Sequence, residues 1–166
     1  MKNSPRVLMM MGSDTDLPVM QEAADILKKF AVPYEMRIAS AHRSPARAMA
    51  LASEAAGRGV KVIITGAGMA AHLAGVVAAH TILPVIGVPM PGGALNGVDA
   101  LYATVQMPGG IPVATMAIGK AGAKNAGLFA IQILALSDSS FTESLTRYRE
   151  AMDKELEQKD AALQAQ

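Results

Sequence analysis

His42 and Arg43 are the adjacent side chains best suited to chemistry in this sequence, and they stand where an apolar stretch ends, in ASAHRSPARA (Ala39–Ala48). A histidine can take up and return a proton near neutral pH. An arginine guanidinium can hold two oxygens of a phosphate at once. A half-buried, hydrogen-bonded histidine beside a surface charge would also explain the pair, but the position at a strand end favours a functional His42.

The segment GSDTD (Gly12–Asp16) places two hydroxyls and two carboxylates after another apolar run. A helix cap and a tight turn would by themselves account for Ser13 and Asp16. Asp14 and Asp16 without a clear third ligand make a poor magnesium site. No G-K-[ST] sequence is present, so a triphosphate-binding P-loop is not expected.

The segment GAGMAA (Gly66–Ala71) resembles the G-x-G-x-x-G/A fingerprint of dinucleotide-binding proteins. That fingerprint requires an acidic residue about 20 positions further on. The next acid here is Asp99, which is too distant, so we expect no nicotinamide or flavin cofactor. Small residues would still let a ligand approach the backbone at this segment.

Metal binding is not expected either. The chain has no cysteine, and its three histidines include no pair spaced i, i+4. His72 and His80 are close in sequence but need not face the same way, and His80 is interpreted as structural. The sequence therefore predicts no metal and no cofactor.

Apolar stretches alternate with helical patterns along the chain, with Asp16 as the candidate N-cap of the first helix. The predicted strands are RVLMMM, PYEMRIAS, KVIITG, PVIGVP and IPVATMAI. The predicted helices cover Asp16–Phe30, Pro45–Arg58, Ala70–His80, Val98–Val105, Asn125–Leu136 and a charged tail from Ser139. This alternation predicts an α/β fold, a three-layer αβα sandwich with a doubly wound parallel sheet.

Ligands of such folds bind at the carboxyl ends of the strands. The segments that follow the first four strands, GSDTD, SAHRSP, GAGMAAH and MPGGALNG, are all rich in glycine, hydroxyl or ionisable groups. We therefore expect these segments to meet at one edge of the sheet and to form one site.

Composition limits the choice of partners. The formal net charge of +1 favours neither nucleic acid nor an acidic membrane. Val62–Gly119 contains Asp99 as its sole Asp, Glu, Lys or Arg, but histidines, prolines and glycines interrupt it, so we interpret it as enclosed by protein rather than membrane.

The sequence has no cysteine and no evident signal peptide, so we expect a cytoplasmic protein. Its length predicts one domain, 1–166, with a core of about 6–136 and a helical extension of about 138–160.

The blocks MGSDTD, SAHRSP, GAGMAAHLAG, LPVIGVP, GVDALYATVQMPGGIPVATMAIG and GAKNAG together resemble one family, in the family's order, over Val7–Leu136. It is the bacterial-type, class I family of N5-carboxyaminoimidazole ribonucleotide mutases, also described as the catalytic subunit of phosphoribosylaminoimidazole carboxylase. The resemblance implies a flavodoxin-like fold and a homo-octamer on which the C-terminal helix packs. It also implies a ribonucleotide substrate, no cofactor, and a functional link to the ATP-dependent enzyme that makes this substrate.

The resemblance also implies roles for particular residues. His42 would carry the proton, Ser13 and Arg43 would hold the phosphate, and Asp16 would bind the ribose hydroxyls. The base and the carboxylate would lie against Ser40, Ala67, Gly68, His72 and Leu73. The carboxylate would move within the substrate, from the exocyclic nitrogen to ring carbon C4, through enclosed carbon dioxide.

The sequence departs from the family pattern at two places in one block, where Met69 replaces a glycine and Ala74 a proline. Two other functions stay open: direct carboxylation of aminoimidazole ribonucleotide, and nucleotide binding without catalysis. Arg43 and Pro45 favour the mutase, because the direct carboxylases are expected to have lysine after the histidine. Proline also restrains the turn that carries His42.

Overall fold

The structure is a computed structural model that describes residues 4–165. Within that part of the chain, five strands alternate with helices, and a long helix ends the chain. The strands are β1 (Val7–Met11), β2 (Tyr34–Ile38), β3 (Val62–Ala67), β4 (Val85–Pro89) and β5 (Ala114–Thr115). The helices are α1 (Leu17–Lys29), α2 (Pro45–Glu54), α3 (Leu73–Ala78), α4 (Val98–Val105), α5 (Lys120–Ala135) and α6 (Ser139–Gln164).

The five strands form one parallel sheet in the order β2-β1-β3-β4-β5, with helices on both faces. This is the flavodoxin-like strand order, and it confirms the predicted doubly wound α/β sandwich. Every residue of β1 and of β4 is buried, as expected for strands covered on both faces. Met11 pairs with Ile38 on one side and with Gly66 on the other, so β1, β2 and β3 end level with one another.

The fifth strand is shorter than the sequence predicted. IPVATMAI keeps only Ala114–Thr115 as regular strand. The segment still follows β4, because the N–H of Met116 donates to the carbonyl of Gly87 and that of Gly119 to Pro89, both at 2.9 Å. These two bonds are too widely spaced to make a continuous ladder. The helix after it, α5, begins at Lys120 rather than at the predicted Asn125.

Two left-handed residues, Gly59 after α2 and Met69 before α3, lie near helix ends, and the prediction did not take them into account. After α2 a short 3-10 turn runs to Arg58 and stops at Gly59, where φ is +93°. The predicted helix Ala70–His80 is reduced to α3, because Met69 has a φ of +52° and the following N–H groups bond within tight turns. The backbone must pass Met69 and these turns before the helical hydrogen bonds of α3 can start.

The chain forms two compact units, one up to Ile131 and the other from Gln132 onward. The first contains the sheet. The second contains α6, which begins where the Asp138 side chain accepts a hydrogen bond from the N–H of Ser140. The single domain over 1–166 stays a prediction, and residues 1–3 and 166 lie outside the described residues. Within 4–165, no helix is long and apolar enough to cross a membrane.

Candidate active site

A cavity of about 480 Å³ opens at the carboxyl edge of the sheet, beyond the ends of β1, β2 and β3. Three of the four polar segments singled out in the sequence contribute to its wall. Every site residue expected from the sequence lines this cavity: Ser13, Asp16, Ser40, His42, Arg43, Ala67, Gly68, His72 and Leu73. The fourth segment, which follows β4, supplies none of the lining residues.

Five lining residues were not among those expected: Gly12, Thr15, Ala41, Met69 and Ala70. All of them lie inside the same three segments. They could have been predicted by including every residue of each turn, because a strand-to-helix turn at a sheet edge exposes consecutive residues to one ligand.

The segment after β1 is held by a reciprocal pair of hydrogen bonds. The Ser13 Oγ accepts from the N–H of Thr15 at 3.3 Å, and the N–H of Ser13 donates to Oδ2 of Asp16 at 3.1 Å. This is a capping box on the 3-10 turn Asp14–Asp16 that leads into α1. Asp16 does occupy the N-cap position of α1, but its carboxylate reaches back to Ser13 and makes no cap bond to α1.

The carboxyl of Asp16 has an altered acidity. Burial raises its pKa above the ordinary value, because the charged form loses hydration. The backbone N–H groups of Ser13 and Gly12 and the charge of Arg43 act in the opposite direction without cancelling the rise. The half-buried carboxyl lines the cavity, where its oxygens can accept hydrogen bonds from the hydroxyls of a ligand.

The segment after β2 folds around Ser40. Its Oγ accepts from the N–H groups of His42 at 3.3 Å and Arg43 at 3.1 Å. Its own N–H donates to the Oγ of Ser44 at 2.9 Å, just before α2 starts at Pro45. These bonds fix the backbone that carries the imidazole and the guanidinium.

The guanidinium of Arg43 crosses to the neighbouring strand. Its Nη2 donates to the carbonyl of Gly12 at 2.9 Å, which places the positive charge beside Ser13. A guanidinium has five N–H donors, and this bond uses one of them. Arg43 is therefore positioned to bind an anion together with the turn after β1.

His42 and His72 form a direct pair across the cavity. The Nε2 of His42 lies 2.7 Å from the Nδ1 of His72, and the rings meet edge to face at 78°. At this distance one nitrogen donates and the other accepts, so a single N–H hydrogen bond joins the two imidazoles. The pair can hand on a proton, which is the property needed for general acid–base catalysis.

Two methionine side chains pack against the end of β3. A Cβ on Gly66 would lie 2.5 Å from Cε of Met90 and 2.6 Å from Sδ of Met20, so a larger residue there would require these flexible side chains to move. The thioethers thus lie beside the strand end that precedes the cavity-lining residues Ala67 and Gly68. Within the described part of the chain, no three acidic, histidine or cysteine side chains form a group that could hold a metal ion.

The fold and the site define a class: a flavodoxin-like α/β protein with a small-molecule cavity at the carboxyl edge of its sheet, holding an imidazole pair beside an arginine. The chain belongs to the AIR carboxylase family, which it matches over residues 6–155.

Individual relatives agree with this assignment. The chain is 54% identical over 160 residues to the N5-carboxyaminoimidazole ribonucleotide mutase of Pyrococcus horikoshii, covering 96% of this chain and 89% of that protein. It is 51% identical over 160 residues to the mutase of Thermotoga maritima, covering 96% and 92% respectively. Among solved structures, Treponema denticola PurE superposes with a TM-score of 0.85 at 31% identity, covering 96% of this chain and 98% of that one.

Proposed function

We propose that the protein is an N5-carboxyaminoimidazole ribonucleotide mutase, an isomerase of purine biosynthesis. It converts N5-carboxyaminoimidazole ribonucleotide to 4-carboxyaminoimidazole ribonucleotide. The observation that carries the proposal is the meeting of His42, His72 and Arg43 at one cavity in a chain about half identical to proteins named as this mutase. The residue roles implied by the family are the basis of the mechanism below.

Substrate binding begins at the phosphate. Arg43 and the hydroxyl of Ser13 hold its oxygens, and the bond from Arg43 to Gly12 keeps the two groups adjacent. Asp16 binds the ribose hydroxyls. The Oγ of Ser40 accepts hydrogen bonds from the backbone N–H groups of His42 and Arg43. These bonds hold the proton carrier and the phosphate-binding arginine in a fixed relative position.

The carboxylate then moves within the bound substrate. The bond between the exocyclic nitrogen and the carboxylate carbon breaks, the nitrogen gains a proton, and carbon dioxide is released inside the cavity. Ring carbon C4 forms a bond to that carbon dioxide, and His42 removes the C4 proton so that the ring regains aromaticity. The substrate gains one proton on the exocyclic nitrogen and loses one from C4. The active-site residues therefore end in their starting protonation state, and no other reactant is needed.

The base end of the cavity has small residues that suit an enclosed neutral intermediate. Ala67 and Gly68 bring the backbone close to the ligand, and Leu73 is buried behind them. A site that excludes water prevents loss of a reactive intermediate. His72 supports His42 through their shared hydrogen bond rather than by touching C4.

The same proposal includes features that come from the family resemblance. We infer a cytoplasmic homo-octamer that needs no metal or cofactor and has no nucleic-acid or membrane partner. Its substrate is supplied by an ATP-dependent carboxylating enzyme, since a carbamate on an aromatic amine needs energy to form.

The deciding experiment supplies the two ribonucleotides separately, without ATP, in buffer from which carbon dioxide is stripped or to which bicarbonate is added. We expect the carbamate substrate to be converted in stripped buffer, and aminoimidazole ribonucleotide to react slowly and only at high bicarbonate. Faster turnover of the uncarboxylated substrate with bicarbonate would instead assign direct carboxylation. Binding of both without turnover would leave a non-catalytic nucleotide-binding protein.

A further inference from the structure

Met69 combines two features that folding does not favour. Its backbone has a φ of +52°, in the left-handed region where glycine is preferred. Its apolar side chain is 61% exposed although the residue lines the cavity. Strain of this kind persists at functional sites, where the surrounding structure holds it in place.

The side chain of Met69 reaches from the cavity wall to the loop that follows β4. A Cβ placed on Gly93 would lie 3.2 Å from the Cγ and 3.5 Å from the Sδ of Met69, so the methionine packs directly over that glycine. Gly93 itself has a φ of +64° and lies in the exposed loop between β4 and α4. Met69 thus connects a segment that lines the cavity with the neighbouring loop after β4.

The position of Met69 relates it to the reacting end of the substrate. It follows Gly68 directly and lies three residues before His72, and all three line the cavity. Carbon dioxide is small and uncharged, so the protein can retain it only by covering the opening, not by binding its charge. A flexible thioether is well suited to fill an irregular gap of this kind.

We propose that Met69 is a retention residue, whose side chain covers the base end of the cavity and keeps released carbon dioxide beside ring carbon C4. The inference rests on the proposed mutase function and adds to it a specificity-determining residue at the rim. Retention competes with escape. If carbon dioxide leaves, the nitrogen keeps its proton, the product is aminoimidazole ribonucleotide, and the escaped gas hydrates to bicarbonate.

The test measures the ratio of aminoimidazole ribonucleotide to 4-carboxyaminoimidazole ribonucleotide formed in a single turnover of the carbamate, after subtraction of an enzyme-free blank. Met69→Ala removes the cover but keeps the backbone strain, Met69→Gly removes both, and Met69→Leu keeps an apolar cover. We expect the ratio to rise at least about threefold in the Ala and Gly variants and to stay near wild type in the Leu variant.

A second measurement does not depend on the blank. In buffer with isotopically labelled bicarbonate, leaky variants should incorporate more label into the carboxylated product than the wild type does. Melting temperature and light scattering accompany both measurements, to show that each variant is folded and keeps the wild-type assembly.

The outcomes separate the two proposals. Equal product ratios and equal label incorporation in all four proteins would overturn the retention role, while turnover of the carbamate by the wild type would leave the mutase intact. A changed assembly mass in the Met69→Ala and Met69→Gly variants would overturn the retention role and would instead assign Met69 to a contact between subunits. A wild-type enzyme that does not consume the carbamate would overturn the mutase function and the retention role with it.

Discussion

At the scale of single residues, the proposed mechanism depends on one proton and one positive charge held near each other. The contact between Nε2 of His42 and Nδ1 of His72 provides a path for the proton. The bond from Arg43 to the carbonyl of Gly12 fixes the charge beside the turn after β1. Each of these groups can be altered without removing apolar packing, so their roles can be tested by substitution.

Replacement of the proton carrier should separate binding from catalysis. We expect His42→Asn to fold and to bind the ribonucleotide, with kcat lowered by about 10²- to 10⁴-fold, the range typical of a lost general acid–base group. The matched control is His80→Asn, because the Nδ1 of His80 contacts only the carbonyl of Val76 among the bonds described and the residue does not line the cavity. Activity of the His42 variant within about threefold of wild type would remove His42 from this role.

The raised pKa of Asp16 predicts a pH dependence of stability. The folded chain favours the protonated carboxyl of Asp16, so protonation of this group stabilises the fold. Its contribution to the free energy of unfolding is complete below the ordinary pKa of 3.8 and is lost as the pH rises through the raised pKa. Asp16→Asn keeps an oxygen that can accept from Ser13 and has no such titration. The free energy of unfolding of the variant, relative to wild type, should therefore increase with pH.

Denaturant unfolding at equal protein concentration, below the ordinary aspartate range and again at neutral pH, measures this difference. Asp25→Asn, on the exposed side of α1 and outside the cavity, is the matched control. A stability difference for Asp16→Asn that stays constant over the same pH range would contradict the prediction.

At the scale of elements, the level ends of β1, β2 and β3 create the site. Their register makes the three following turns emerge side by side, and hydrogen bonds within the turns then aim the side chains. The turn after β2 depends on Ser44 as well as Ser40, since each bonds to the other's backbone or side chain. Close packing of the sheet against its helices keeps this arrangement rigid.

The packing of α4 on β4 can be tested at Gly87. A Cβ at this position would collide with Cγ2 of Thr104 and lie 3.0 Å from Cγ1 of Val113. We expect Gly87→Ala to lower the free energy of unfolding by about 1–3 kcal/mol, as overpacking does. In the control Gly57→Ala the new methyl meets no atom within 4 Å, and the change should stay within about 0.5 kcal/mol. Equal effects of the two substitutions in urea denaturation would disprove the packing argument.

At the scale of the whole molecule, apolar side chains remain exposed on a regular helix face. Val98, Tyr102 and Val105 recur at spacings of four and three residues along α4 and are all exposed. On α6, Met152 and Leu156 are exposed as well. Apolar faces of this kind are typical of surfaces that contact another protein.

We therefore expect a homo-oligomer, with light scattering giving about eight chain masses at micromolar concentration, as the family resemblance implies. Tyr102→Lys should lower that mass by placing a charge in the exposed stripe of α4. Gln21→Lys, on the exposed polar face of α1, should leave it unchanged. A monomer mass for the wild-type protein would end the assembly prediction.

The alternation of strands and helices could be predicted from the sequence, because buried parallel strands and amphipathic helices have different apolar periods. The site edge followed from this order, since ligands of doubly wound sheets bind at the carboxyl ends of the strands. Nine of the fourteen residues that line the cavity could be named for the same reason, whereas five others in the same turns were missed. Boundaries such as the short β5 were missed, because they depend on which backbone hydrogen bonds form with β4.

Only the tertiary structure decided how the site residues meet. His42 and His72 are 30 positions apart, and their direct contact exists because β2 and β3 both pair with β1 and end beside it. The left-handed backbone of Met69 was likewise set by its surroundings, against the preference of the residue itself. Local patterns encode secondary structure because they act through neighbouring torsion angles, whereas distances between separate turns arise only when the sheet and its helices pack.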